Sequence, residues 1–351
     1  MITGSVDAVI GVDTHRDTHT AALTDRVGRQ LDMLVVPADA AGYQQLLAWA
    51  AQAAPGPRLL WAIEGTRSHG AGLGRALGAV DARVSEVDRP TRRARRAGKS
   101  DPIDALLAAR SALAADEVRQ PRIDGAREAA RLLLVERDRL VRHRTAVLNQ
   151  MRDLVLTAPD ELRQRLRDRS IAALTAACAA LRDSNRDDVE TMVRKQSLRR
   201  LARRARALTI DANTIERDLK QLTSEHVPQL IAEPGVGAIV AAQLWASWSH
   251  PGRIRSESAF AAIAGASPLQ ASSGQRDRHR LNRGGDRHLN RALHQIMLTR
   301  LAHHPATRAY IDRRVTEGKS TREAQRCIKR YLARRIWRLL EHPAPSRPRT
   351  T

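Results

Sequence analysis

The 351-residue chain carries 60 Lys and Arg against 38 Asp and Glu, a formal charge of +22 with a pI near 11.4, and this balance points to a polyanion partner, nucleic acid before any other. Hydrophobic residues make up 42% and aromatics only 3%, so the length supports two or three domains with cores of Leu, Ala and Val. A membrane protein is excluded by the lack of any run near the ~18 apolar residues of a span, and a disulfide scaffold or cysteine metal site by having only Cys178 and Cys327. The N-terminus lacks a secretory leader's basic start and cleavage site, and the expectation is a cytoplasmic protein with two buried thiols.

The first organised stretch is residues 9–20, VIGVDTHRDTHT. An apolar run over residues 9–12 ends on Asp13, and an alternating segment over 18–23 follows. Together they predict a buried strand delivering a carboxylate, a turn and a second strand. Residues 31–36 predict a third strand, and the periodicity through Tyr43, Leu46, Leu47 and Trp49 predicts a helix broken at Pro55-Gly56-Pro57. The strand over 59–63 delivers Glu64, and a helix over about 69–80 and a strand over 82–87 complete a βββαβαβ order. That order suits a mixed sheet with helices packed on it.

The stretch GKSDPIDA, residues 98–105, reads as a helix opening, with Asp101 near its N-cap and Pro102 at a favoured first position. Asp101 and Asp104 are three apart and share a face. Acids there ordinarily serve capping and the helix dipole. Four acids at two strand ends and one helix start are, however, oddly placed in so basic a chain unless they hold cations. Asp13, Glu64, Asp101 and Asp104 offer the hard oxygen ligands of two-metal phosphoryl transfer, in which two Mg²⁺ or Mn²⁺ ions clamp the attacking and leaving oxygens. Clustered without metal they repel one another, so at least one carboxyl is expected above its usual pKa. The basic tract just before the acidic pair contains Arg92, Arg93, Arg95, Arg96 and Lys99; it is either a nucleic-acid backbone clamp or a solvated loop.

Beyond residue 121 the strand signals stop. Leu133, Leu140, Val147 and Leu154 recur every seven residues, with Leu134, Val141, Leu148 and Val155 beside them, which predicts a long amphipathic helix ending near Ala158-Pro159. A second periodic stretch runs from Leu198 to Leu222, with arginines over 199–206 forming a solvated or a phosphate-contacting face. The two helices pack on each other or on a second protomer. Pro234-Gly235-Val236-Gly237 is either a phosphate-meeting hairpin turn or a glycine turn for close helix packing. Residues 260–291 then hold Ser272, Ser273, a run including Arg276, Arg278, His279 and Arg280, a Gly-Gly turn and a basic helix start. Two amphipathic basic helices are predicted over about 286–303 and 322–342, then a Pro/Arg tail expected to be disordered.

The blocks GVDTHRDTHTAAL, AIEGTRSHGAGL and RPTRRARRAGKSDPIDA resemble those of the Asp-Glu-Asp-Asp transposases of bacterial insertion sequences, the IS one-ten family, related to the Piv-type DNA invertases. Residues 265–268, Ser273-Gly274 and Gly285-Asp286 resemble that family's C-terminal block. The resemblance implies an α/β RuvC-like, RNase H-like domain over 1–120 with Asp13, Glu64, Asp101 and Asp104 as metal ligands. It implies an α-helical coiled-coil assembly region over 121–225, a mainly α-helical transposase domain over 226–342, and a tail over 343–351. It places the nucleophile on Ser273, with Ser272 as the alternative, and leaves Arg276, Arg278 and Arg280 to contact nucleic acid. Its implied activity is metal-assisted attack of the serine on phosphodiesters of donor and target DNA, guided by an element-encoded RNA, in a dimer or tetramer associated with the bacterial nucleoid. The alternative is a RuvC-like structure-selective nuclease that uses water as nucleophile.

Overall fold

Strand β1 (Ala8–Thr14) is buried at every position, because it lies at the centre of a sheet covered on both faces, where a continuous apolar run replaces alternation. It belongs to a computed structural model that describes residues 2–88, 100–267, 269–270, 279–280 and 284–342; the chain divides into two units, Met1–Arg122 and Ile123–Thr351.

In the first unit, β2 (Thr18–Asp25) pairs antiparallel with β1 and β3 (Gln30–Pro37) antiparallel with β2, while β4 (Leu59–Glu64) runs parallel to β1 and β5 (Val84–Val87) parallel to β4. The order β3-β2-β1-β4-β5 is the mixed sheet expected from the sequence, and each predicted element is found within a few residues of its expected bounds. Helix α1 (Ala40–Ala53) is capped by Asp39, whose carboxylate accepts from the Gly42 N–H, and α2 (Ala71–Ala79) follows β4. Their leucines, Leu46, Leu73 and Leu77, bury Ile10, Val12, Trp61 and Ile63 on one face of the sheet. The other face buries Val9, Leu60 and Ala62 against Ala108, Ala109, Ala112 and Leu113 of α3 (Asp101–Ala114).

The second unit is mostly helical. Helices α4 (Ala126–Leu156) and α7 (Val189–His226) are the two long helices foreseen by periodicity, and they pack on each other. They run antiparallel: Arg194 near the start of α7 donates to the Leu154 carbonyl at the end of α4, while Glu216, late in α7, pairs with Arg137, early in α4. At one end of the pair, α5 (Asp160–Leu166) and α6 (Ile171–Ala179) close a core of Met151, Leu162, Leu174, Cys178 and Leu198. At the other, Ala130, Ile215 and Leu219 join a larger core with α8 (Pro228–Ile231), α9 (Ala238–Trp248), α10 (Glu257–Ile263), α11 (Arg287–His303), α12 (Pro305–Thr316) and α13 (Thr321–Glu341). Buried Arg127 ties this end together by donating from Nε and NH2 to the Ala246 carbonyl. Helix α12, between the two basic helices, is not evident in the periodicity. Cys178 is buried as expected, but Cys327 is only half-buried. Among the described residues, no helix is long and apolar enough to cross a membrane.

Candidate metal centre

The site is made where two parallel strands end under the start of a helix. Strands β1 and β4 are in register through Val12↔Ile63, so the next positions on each, Asp13 and Glu64, are neighbours. The strand period of two sends Val12 and Ile63 into the core beneath α1 and α2, and Asp13 and Glu64 to the α3 face. The Thr14 hydroxyl donates to the Glu64 carbonyl at 2.8 Å and ties the two strand ends together.

Helix α3 brings the remaining acids. Its N-cap is Ser100, so Asp101, read from the sequence as lying near the cap, is the first helical residue, and Asp101 and Asp104 both occupy the first turn. The helix can approach because Gly11 lies beneath it: a Cβ there would stand 2.0 Å from the Ala105 carbonyl oxygen and 2.4 Å from the Ala109 nitrogen. Alanines at 105, 108, 109 and 112 keep the same face of α3 thin. Asp104 is thereby buried at 5% exposure close to Asp13 at 7%, while Asp101 stays exposed.

Electrostatics record this crowding. Burial raises the Asp13 carboxyl above the usual carboxylate range; His15 opposes the rise, and the negative charges of Asp104 and Asp101 add to it. One carboxyl is perturbed upward, as expected, but burial rather than repulsion among the acids is the larger cause. The sequence reading missed His15, in the β1–β2 turn two residues after Asp13. Its Nε2 lies 3.2 Å from Asp13 Oδ2 and 3.3 Å from Asp101 Oδ1. The only signal for it was the THRDTH string beside the first acid. Asp13, His15 and Asp101 each offer one donor atom, all within 4.8 Å of one another, and this set fits a divalent cation whose charge would relieve the crowding at Asp13.

The other predicted site residues are distributed differently. Arg92, Arg93, Arg95, Arg96, Lys99, Ser272, Ser273, Arg276 and Arg278, and the tail over 343–351, lie outside the described residues. Arg280 falls in β7 (His279–Arg280), which pairs antiparallel with β6 (Leu269–Gln270) and so sets the two ends of the serine-bearing segment side by side. On its N-terminal flank, the Asn290 amide donates to the Ala264 carbonyl and Arg330 donates to Ser267. On its C-terminal flank, Gly285 sits at φ +88°, where a Cβ would meet the Ile263 carbonyl oxygen at 2.2 Å, and Asp286 caps α11 by accepting from the His288 and Leu289 N–H groups. The glycine turn at Gly235 is packed on α11, with Arg300 donating to the Pro234 carbonyl and pairing with Glu233; that contact favours the close-packing reading of the turn. In the 199–206 cluster Arg199 pairs with Asp183, while Arg200, Arg203, Arg204 and Arg206 are exposed.

Comparison with known families decides what kind of protein carries this site. The transposase family of DEDD type from IS110 elements matches residues 10–158, which include all four acids, and the "Transposase IS116/IS110/IS902 family" matches residues 229–312. The chain belongs to the IS110 family of insertion-sequence transposases. The transposase is also similar to the uncharacterized 42 kDa protein of insertion element IS900 from Mycobacterium paratuberculosis, 28% identical over 327 residues, covering 85% of this chain and 80% of that protein. Membership makes it a DNA-cutting enzyme of transposition with DNA as substrate, and the sheet unit its RNase H-like domain. A DEDD domain of this kind points to use of a divalent metal ion.

Proposed function

We propose that this transposase cuts and rejoins donor and target DNA with Asp13, Glu64, Asp101 and Asp104 holding two Mg²⁺ or Mn²⁺ ions and with Ser273 as nucleophile, Ser272 being the alternative. The observation that carries the reading is the convergence of β1, β4 and the first turn of α3 on one sheet face, with Asp13 and Asp104 buried together. When bound, the ions supply charge stabilisation at the scissile phosphate. The chain's own part is to fix the oxygen donors on rigid elements: two strand ends locked by Thr14 and a helix seated on Gly11. The serine hydroxyl attacks phosphorus, a protein–DNA phosphodiester forms as the 3′ or 5′ oxygen of the strand leaves with a proton, and rejoining reverses the step, so bond energy is conserved.

In this reading Arg92, Arg93, Arg95, Arg96 and Lys99 hold backbone phosphates beside the acids, and Arg276, Arg278 and Arg280 do so beside the serine. The exposed arginines of α7 extend the basic surface, and the charge of +22 suits a protein holding both DNA and an element-encoded guide RNA. The α4–α7 pair serves assembly as a coiled coil in a dimer or tetramer, and the enzyme works at the bacterial nucleoid in the cytoplasm. The test is a denaturing gel of labelled donor and target DNA with Mg²⁺ and RNA from the element's flank, comparing wild type, Ser273→Ala, Ser272→Ala and Asp13→Ala. A protein-linked DNA band lost in Ser273→Ala and Asp13→Ala supports the proposal. Free nicked DNA that persists in both serine variants identifies a nuclease using water instead.

A further inference from the structure

We infer that His15 is a metal ligand, and that its nitrogen makes the centre prefer a first-row transition ion, Mn²⁺ in the first instance, over Mg²⁺. This rests on the proposed reading of Asp13 and Asp101 as metal-binding acids. It adds a donor outside the four acids, one that changes which ion the centre selects.

Geometry supplies the first argument. Donors at right angles on an octahedral ion, each about 2.1 Å from it, lie roughly 3.0 Å apart. His15 Nε2 stands 3.2 Å from Asp13 Oδ2 and 3.3 Å from Asp101 Oδ1, close to that edge length on both sides. The imidazole is held there by its backbone: Thr14 is the last residue of β1, the His15 N–H donates to the Thr18 carbonyl at 3.0 Å, and Thr18 begins β2. The His15 side chain is 49% exposed and that of Asp101 54%, against 9% for Asp13. The triangle of donors thus has a closed side at Asp13 and an open side through which an ion and its remaining waters can enter.

Chemistry supplies the second. An imidazole bound to a metal through Nε2 offers a nitrogen donor beside the carboxylate oxygens of Asp13 and Asp101. Mg²⁺ favours an all-oxygen set and gives up water reluctantly, whereas the first-row transition ions accept an imidazole nitrogen more readily, Mn²⁺ the least of them but still more than Mg²⁺. A site with only carboxylates discriminates weakly between Mg²⁺ and Mn²⁺, and one nitrogen donor tilts it toward Mn²⁺.

The experiment is Mn²⁺ and Mg²⁺ binding to the full-length protein by calorimetry, with electron spin echo spectroscopy of the Mn²⁺ complex to detect coupling to ¹⁴N, on wild type, His15→Ala, His15→Asp and Asp13→Asn. The expected result is ¹⁴N coupling in wild type that is absent in both His15 variants. Mn²⁺ Kd should rise about 10- to 100-fold in His15→Ala while Mg²⁺ Kd moves by less than roughly threefold, and His15→Asp should restore binding without the Mn²⁺ preference. Asp13-dependent Mn²⁺ binding in wild type without ¹⁴N coupling, or tighter binding of both ions in His15→Ala, overturns the role of His15 and leaves the acids in place. Mn²⁺ binding that survives Asp13→Asn unchanged, or no Mn²⁺ binding by wild type, overturns the reading of the acids and the inference with it.

Discussion

Alanine at position 11 would test whether the close seat of α3 on β1 creates the acid cluster. The added Cβ would lie 2.0 Å from the Ala105 carbonyl oxygen and 2.4 Å from the Ala109 nitrogen, where even tight contacts stay beyond 3.0 Å. Both neighbours are backbone atoms, so no rotamer change relieves the clash, and α3 must retreat by about 1 Å at the turn beside Asp104. Catalytic and metal sites tolerate displacements of only about 0.5 Å. The substitution should therefore weaken Mn²⁺ binding about 10- to 100-fold, as loss of other groups that orient ligands does, and cost about 3 kcal/mol, the upper part of the overpacking range. Urea unfolding and Mn²⁺ titration measure the two effects. Gly74→Ala is the matched control: Gly74 is helical with nothing within 4 Å of its would-be Cβ, so that variant should gain about 0.5–1 kcal/mol and bind metal normally. If Gly11→Ala unfolds at the wild-type urea concentration and binds Mn²⁺ as wild type does, the seat of α3 does not build the site.

Other expectations follow from the same structure. The Asp13 carboxyl is raised on folding, so in metal-free protein its contribution is least unfavourable below its unfolded pKa, and stability is lost as pH rises through the folded value. Asp13→Asn should remove that slope in thermal melts run upward from about pH 4, the unperturbed carboxyl value, raise the neutral-pH Tm without metal, and abolish the Tm gain on adding Mn²⁺; a slope unchanged in the variant would point to other groups. Arg127→Met keeps bulk but strips two donors from the Ala246 carbonyl, and should cost about 1–3 kcal/mol in urea unfolding; a neutral result would mean that water replaces the guanidinium. Burial pushes the Cys178 thiol up to about 11. A thiol reagent at neutral pH should therefore label half-buried Cys327 first and Cys178 only on unfolding, and equal rates at both would contradict the closed α5–α6 core.

The first unit was legible in the sequence because its signals are local. The apolar runs ending on Asp13 and Glu64, the alternation after Thr18 and the Ser100-Asp101-Pro102 helix start each express a strand or cap within a few residues. In the second unit, the seven-residue repeat through Leu133, Leu140, Val147 and Leu154 announced a stripe without naming its partner. The structure pairs it with α7, since a stripe specifies burial and not what buries it.

What only the tertiary structure decided is distance. Gly11 reads in the sequence as one small residue in an apolar strand, yet it sets how close α3 comes and hence how deeply Asp104 is buried beside Asp13. His15 reads as a turn residue until the fold places Asp101, distant in the chain, on its far side. Residue type and period fix what each segment presents; the separation of carboxylates and imidazole depends on backbone contact between segments far apart in the chain, which no local pattern encodes.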